Sequence, residues 1–432
     1  MNARKANSTV EKVRQLQRNL YRAAKENGKR KFHALYDKVY RKDTLQQAWK
    51  QVKANGGSGG VDGIGIGEVE AYGVERYLDE VETMLRTGTY RPQPVRRVFI
   101  PKMDGSKRPL GIPTVKDRIV QMAAKLVLEP VFEADFKDVS YGFRPKRSAR
   151  QALEVVRKAC NNRGWWVVEV DIRSYFDNIN HEKLMKMVEM RINDRRILKL
   201  LRQWLKAGVL TDEGFGETEI GSPQGGVISP LLANLYLHYL DVRWEKEGSH
   251  LGKLVRYADD LVVVCRTKKD AEHALSFIRT VMVQKLDLTL HPEKTRMVSL
   301  WDGQGGFDFL GMHHRRRMTE NGSGQAYATM HQFPSAKAMK KMRQRVTEVL
   351  GRRSILNKDA NSLVRLMNPV LRGWKNYYGL KTAETWLLKV DWHILKRFAI
   401  WYNKKRRKRR HLSDIGKVRE ILQTCKLCWL AA

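Results

Sequence analysis

The chain has 432 residues, 42% hydrophobic and 9% aromatic, enough apolar material for real cores and too much for wholesale disorder. Lys and Arg number 82 against 46 Asp and Glu, a formal charge of +36 that points to a polyanionic partner, nucleic acid ahead of an anionic membrane surface. No run approaches the roughly 18 apolar residues of a membrane span, the N-terminus lacks an apolar signal core, and four cysteines cannot form a disulfide framework, so a reducing cytoplasm with no membrane is expected.

Residues 8–53 carry apolar positions at helical spacing (Val13, Leu16, Leu20, then Leu35, Val39, Leu45, Trp49, Val52), and NGGSGGVDG at 55–63 ends that pattern as a flexible loop. Residues 95–101 alternate as a strand, MDGS at 103–106 is a turn, and 107–113 returns as the partner strand. Helical periodicity covers 116–136 and 148–160, and WWVVEVD (165–171) is a short apolar strand ending on an acid. One helix is expected over 181–207, a Gly/Pro/Ser loop over 221–229 and another helix over 230–247. The runs LVRYA and LVVVC, separated by Asp259 and Asp260, predict a β-hairpin with carboxylates at its turn. A helix over 271–286 and a short strand over 308–312 follow, and from Ser335 the pattern is mainly helical.

The charge is uneven. Residues 1–43 hold 13 basic and 4 acidic side chains (+9), residues 312–432 hold 28 and 7 (+21), and the 268 residues between them are close to balance at +6. The run KKRRKRR at 404–410 follows an aromatic-rich helical pattern, which suggests a basic arm on a folded support; its phosphate contacts would be salt-sensitive and independent of sequence.

Asp171 closes one apolar strand, and Asp259 and Asp260 sit at the tip of the hairpin. Adjacent acids between apolar strands repel unless a cation neutralises them. Hard divalent cations prefer carboxylate oxygens, and two ions about 4 Å apart activate a 3′-hydroxyl and steady a leaving pyrophosphate.

DIRSYFD (171–177), SPQGGVISPLL (222–232) and YADD (257–260), in that order and spacing, resemble the palm motifs of reverse transcriptases, nearest to the reverse transcriptase/maturases of bacterial group II introns. IPKMDGSKRPLGIPTVKDRIVQ (100–121), SYGFRPKRSARQAL (140–153), HPEKT (291–295), FDFLG (307–311) and LRGWKNYYG (371–379) extend the similarity over roughly residues 44–400. The resemblance implies an α+β right-hand polymerase: fingers, a palm with an antiparallel sheet, and a helical thumb. Its segments would be a basic N-terminal extension (1–43), a template-covering segment and fingers (44–164), palm (165–312), thumb or maturase domain (335–403) and a basic C-terminal tail (404–432).

The resemblance also assigns roles. Asp171 and Asp259 would bind two Mg²⁺ ions, with Mn²⁺ a possible substitute, assisted by Asp260 and the backbone of Ile172. Lys102 and Arg108 would hold the triphosphate of an incoming dNTP, Phe176 would exclude a ribose 2′-hydroxyl, and Gln224 would lie along nucleotide and template. Gly225 and Gly226 would allow close backbone approach. Lys294 is a candidate proton donor to pyrophosphate, and His291 stands where the family usually has Asn. Phe309, Leu310 and Gly311 resemble the primer grip. Arg372, Lys375, Lys404, Lys405, Arg406, Arg407, Lys408, Arg409 and Arg410 would contact nucleic acid. Expected partners are a group II intron RNA, an RNA template with its DNA primer, and target DNA. The expected activity is RNA-directed DNA synthesis together with intron splicing and retrohoming; a domesticated relative in phage defence, CRISPR acquisition or DNA repair is the alternative. A single CKLC (Cys425, Cys428) does not complete the zinc ligands of the endonuclease module that many relatives carry, so no endonuclease is expected.

Overall fold

The computed structural model describes residues 8–101, 105, 107–211, 214–216, 221, 225–320, 322–407, 412 and 414–431. Lys102, Gln224, Lys408, Arg409 and Arg410 lie outside the described residues.

The chain opens with α1 (Thr9–Glu26), α2 (Tyr36–Val39), α3 (Lys42–Asn55), α4 (Ile66–Tyr72) and α5 (Val74–Thr87). Ser8 caps α1 by accepting from the Glu11 N–H, and Val13, Leu20 and Ala24 form its buried stripe. Strands β1 (Val95–Pro101) and β2 (Lys107–Ile112) follow, then α6 (Val115–Glu133), which is apolar almost all round and buried accordingly. Gln17 and Lys25 of α1 donate to the carbonyls of Leu126 and Ala134, so the basic N-terminal segment, where described, is packed into the body rather than appended to it. The glycine loop at 55–63 is also tied down. Arg118 donates to the Gly56 and Ser58 carbonyls and Arg96 to that of Gly59, in place of the flexible loop expected.

Next come α7 (Ala149–Asn161), β3 (Trp166–Val170), α8 (His181–Glu189) and α9 (Arg195–Leu205). The single helix expected over 181–207 is thus two: Asp194 accepts from the N–H groups of Arg196 and Ile197 and starts a new helix. Two short strands the sequence pattern did not predict, β4 (Val209–Thr211) and β5 (Gly214–Gly216), extend the β1–β2 hairpin into a sheet of order β2-β1-β4-β5. Then follow α10 (Ser229–Arg243), β6 (Lys253–Tyr257), β7 (Asp260–Cys265), α11 (Lys268–Arg279) and β8 (Arg296–Ser299).

The palm sheet has the order β6-β7-β3-β8 with every pair antiparallel. It is covered on both faces, which explains why WWVVEVD and LVVVC read as continuous apolar runs. Val168, Val170, Leu261 and Val263 face the main core with the helices around α6 and α10, while Val167, Val262 and Val264 face a smaller core with α7.

The single strand expected over 308–312 is broken at Leu310 and Gly311 by a turn between two strands. β9 (Gly306–Phe309) and β10 (Met312–Glu320) are joined by Leu310 and Gly311, both left-handed at φ +49° and +77°, and β10 pairs with a further strand, β11 (Ala326–Pro334). The thumb comprises α12 (Ala336–Leu350), α13 (Ala360–Tyr378), α14 (Glu384–Lys405) and α15 (Ile415–Thr424) around its own core. The last residues of the expected basic tail (404–432), where described, pack onto the thumb. Val418, Leu422, Leu427 and Leu430 are buried, and Asp391 on α14 accepts from the N–H groups of Leu430 and Ala431. Among the described residues no helix is long and apolar enough to cross a membrane.

Candidate active site

β3 ends at Val170 and places Asp171 at one end of the sheet, while the β6–β7 register runs to Tyr257↔Asp260 and leaves Ala258 and Asp259 as the turn. Val170 lies opposite Leu261, so Asp171 and the Asp259–Asp260 pair reach the same end of the sheet. The three carboxylates that carry the sequence reading are thus brought together.

The hairpin tip is held in a strained form, with Ala258 at φ +57°. Residues 139–142 support it from the side: the Arg256 N–H donates to the Val139 carbonyl and the Tyr141 N–H to that of Arg256, each at 2.8 Å. Gly142 then lies so close that a Cβ would sit 2.3 Å from the Ala258 nitrogen, a physical reason for the glycine in SYGFRP. Beneath the tip, Arg256 is fully buried. Its guanidinium donates to both oxygens of Asp241, equally buried on α10, and at 3.0 Å to Asn234 Oδ1 and to the Ala258 carbonyl. Sequence reasoning missed Arg256, Asp241 and Asn234; an arginine inside an apolar strand beside two aspartates was the available signal.

Crowding three acids costs charge. Burial, then the Asp171 charge, raises the Asp259 pKa above the usual carboxylate range. Asp260 is exposed, yet desolvation of its carboxylate and the charges of Asp259 and Asp171 push it up to about 6. Arg108 on β2 pulls both values down, and Lys294 that of Asp260, so these two of the three predicted cations face the acids. Lys294 Nζ stands 3.6 Å from Asp171 Oδ2. The His291 N–H donates to the Asp171 carbonyl at 2.8 Å, a backbone contact that needs no particular side chain. Ile172 forms a bridge with Leu290 whose bonds are made by its neighbours, from Arg173 N–H to Thr289 and from His291 N–H to Asp171, so those bonds do not occupy the Ile172 carbonyl.

Among the described residues no group of three or more His, Cys, Asp or Glu side chains converges closely enough to hold a metal by itself. The donor set nevertheless fits Mg²⁺, which keeps several waters and binds through one or two carboxylates plus substrate phosphates. Burial is the first cause of the raised Asp259 and Asp260 pKa values, and the repulsion from neighbouring carboxylates that adds to it is what a bound cation would relieve.

Phe176 is half-buried in a short 3₁₀ turn, with the Tyr175 ring edge-on at 5.4 Å. Gly225, at φ +116°, does make a close approach, but to protein: a Cβ there would come 2.3 Å from the Gly111 carbonyl on β2. The Leu310–Gly311 turn, directly after Phe309 at the end of β9, is gripped by the thumb. Tyr377 donates to the Leu310 carbonyl at 2.8 Å, and a Cβ on Gly311 would lie 2.7 Å from the Tyr378 hydroxyl. RGWKNYYG therefore clasps the turn from α13. Arg372, Lys404, Lys405, Arg406 and Arg407 are exposed, whereas Lys375 is only part-exposed and donates to the Trp429 carbonyl at 2.9 Å.

Residues 100–314 match the family "Reverse transcriptase (RNA-dependent DNA polymerase)", and residues 339–417 match "Group II intron, maturase-specific domain". Protein YkfC of Escherichia coli K12 is 38% identical over 309 residues, covering 63% of this chain and 80% of that protein. The chain belongs to the reverse transcriptase family. It is an RNA-directed DNA polymerase of the group II intron type, carrying the maturase-specific domain. The group II intron-encoded protein LtrA of Lactococcus lactis is 40% identical over 219 residues, half of this chain but only 36% of that protein. Telomerase from Candida albicans, solved with a telomeric RNA fragment, overlays 78% of this reverse transcriptase at 14% identity and a TM-score of 0.41, too distant to bear on the site.

Proposed function

We propose that this reverse transcriptase extends a DNA primer on an RNA template, with Asp171, Asp259 and Asp260 as the catalytic carboxylates, and that it binds a group II intron RNA to promote splicing and retrohoming into target DNA. The observation that carries the reading is the meeting of those three acids at one end of the palm sheet, faced by Arg108 and Lys294.

Asp171, Asp259 and the Ile172 carbonyl would hold Mg²⁺, which when bound supplies charge neutralisation at the reacting phosphate and lowers the pKa of the primer hydroxyl. The protein does the rest. Arg108 and Lys102 bind the dNTP triphosphate, and charge-assisted contacts make that grip strong. Phe176 presents a ring where a 2′-hydroxyl would need volume, so selection against ribonucleotides is steric. Lys294, beside Asp171, is placed to donate a proton to departing pyrophosphate. The Leu310–Gly311 turn presses the primer terminus toward the carboxylates, and Arg372 with the 404–410 cations tracks the RNA backbone. All four cysteines are free, which suits the bacterial cytoplasm.

Primer extension on an RNA template with dNTPs and Mg²⁺ tests the reading. Wild type should synthesise DNA, and Asp259→Ala should abolish it. No synthesis by wild type, or undiminished synthesis by the variant, would sink the catalytic assignment.

A further inference from the structure

We infer that the open cleft between α9 and the Arg91–Pro92 segment is a second nucleic-acid surface, one that grips the phosphate backbone of a structured RNA outside the polymerase site. This deepens the proposed intron-RNA binding and rests on it. The cleft, of about 530 Å³, is lined by five cations, Arg91, Arg195, Lys199, Arg202 and Lys206, and by no acid. None of the residues placed at the polymerase site lines it.

Four of the five come from one face of α9 and its C-cap residue, Lys206. Arg195, Lys199, Arg202 and Lys206 follow the i, i+4, i+7, i+11 rule and run about 16 Å along the axis. The opposite face carries Ile197, Leu198, Leu201, Trp204 and Leu205, all buried. The helix is therefore anchored, and its cations are held in a fixed row rather than spread through a mobile tail.

As a solvated face the row is electrostatically unfavourable. Like charges three or four residues apart repel on a helix. Arg195 and Arg196 also occupy the first turn, where the helix dipole favours acids. The acid that caps this end, Asp194, is buried with both oxygens engaged by backbone N–H groups, those of Arg196 and Ile197 and those of Leu35 and Tyr36. Glu189 answers Arg202 at 2.6 Å. Among the described residues, Arg195, Lys199 and Lys206 form no ion pair with an acid. Arg196 turns away to lie 4.7 Å over the Tyr36 ring, while Arg91 is braced by the Gly88 and Tyr90 carbonyls. A polyanion laid along the cleft removes this repulsion, and the regular spacing of a nucleic-acid backbone suits a row of cations one helix turn apart.

The test replaces Arg195, Lys199 and Lys206 together with Ala, a residue that favours the helix. Binding of a transcribed group II intron RNA is measured against salt, and primer extension on poly(rA)–oligo(dT) is measured in parallel. Affinity for the transcript should fall at least tenfold and the salt slope should become shallower by about 2, while extension on the short primer-template stays within twofold of wild type. The charge-keeping set Arg195→Lys, Lys199→Arg and Lys206→Arg should bind like wild type, which separates charge from a folding defect. Unchanged affinity and slope in the Ala variant would overturn the inference. So would parallel loss of extension and binding, which would put the cleft in the polymerase path. A wild-type protein that binds the transcript but extends no primer would instead defeat the polymerase reading and leave the cleft measurement intact.

Discussion

The buried Arg256–Asp241 pair makes a quantitative prediction about how the hairpin that carries Asp259 and Asp260 is held. Both side chains are 0% exposed, so Arg256→Ala leaves the Asp241 carboxylate in the core with no compensating charge. Breaking such a pair costs about 3–5 kcal/mol. The loss also removes the donors at 3.0 Å from Asn234 Oδ1 and from the Ala258 carbonyl at the hairpin tip. With a urea slope of about 3 kcal/mol per M, the unfolding midpoint should drop by roughly 1 M or more. Pairing Arg256→Met with Asp241→Leu removes both charges and should restore most of the stability, because a packed apolar pair replaces a buried ionic one at little net cost. It does not restore the donor to Ala258, so primer extension should remain at least tenfold down. Urea titration followed by tryptophan fluorescence reads the first quantity and single-turnover extension the second. A midpoint for Arg256→Ala within about 0.2 M of wild type, or wild-type extension by the double variant, would refute the reasoning.

Gly142→Ala forces a Cβ to 2.3 Å from the Ala258 nitrogen and should cut extension more than tenfold, against little effect if the tip yields freely. Phe176→Ala should raise ribonucleotide incorporation relative to dNTPs, and unchanged discrimination would remove the ring from the gate. Acid should unfold the protein through two histidines: burial holds His314 down to about 3 and His238 to about 4, against 6.5 when exposed. Their contribution is complete above pH 6.5 and is lost as pH falls toward the folded values, because the unfolded chain takes up protons that the fold refuses, at about 1.4 kcal/mol per pH unit each. A urea midpoint that stays flat from pH 6.5 to 4.5 would contradict this.

The palm was legible because its signals are local and strong. Apolar strands that end on acids, glycine-punctuated loops and a two-residue hairpin all survive translation into structure. What escaped reading depends on distant partners. β10 carries HHRRRMTE, with few of the β-branched residues that mark strands, and it becomes a strand because β9 and β11 flank it. Leu310 and Gly311 read as part of one strand in a one-dimensional pattern, but Tyr377 and Tyr378, far along the chain, clasp them as a turn. The C-terminal segment was obscured by its neighbouring charge run, although Val418, Leu422, Leu427 and Leu430 already spelled an apolar stripe that had to be covered. Arg256 was passed over because an arginine in a strand usually points to water; its buried partners lie in other elements.

The strand order β6-β7-β3-β8 sets a timetable for biosynthesis. β3 is translated early, but both of its neighbours, and with them Asp259, come from much later in the chain, ending at Ser299. At ordinary elongation rates of about 5–20 residues per second, Asp171 waits on the order of 10 s for its partners. With Asp171 and Asp259 as the catalytic carboxylates proposed above, a ribosome-bound chain would have no assembled palm until β8 has emerged.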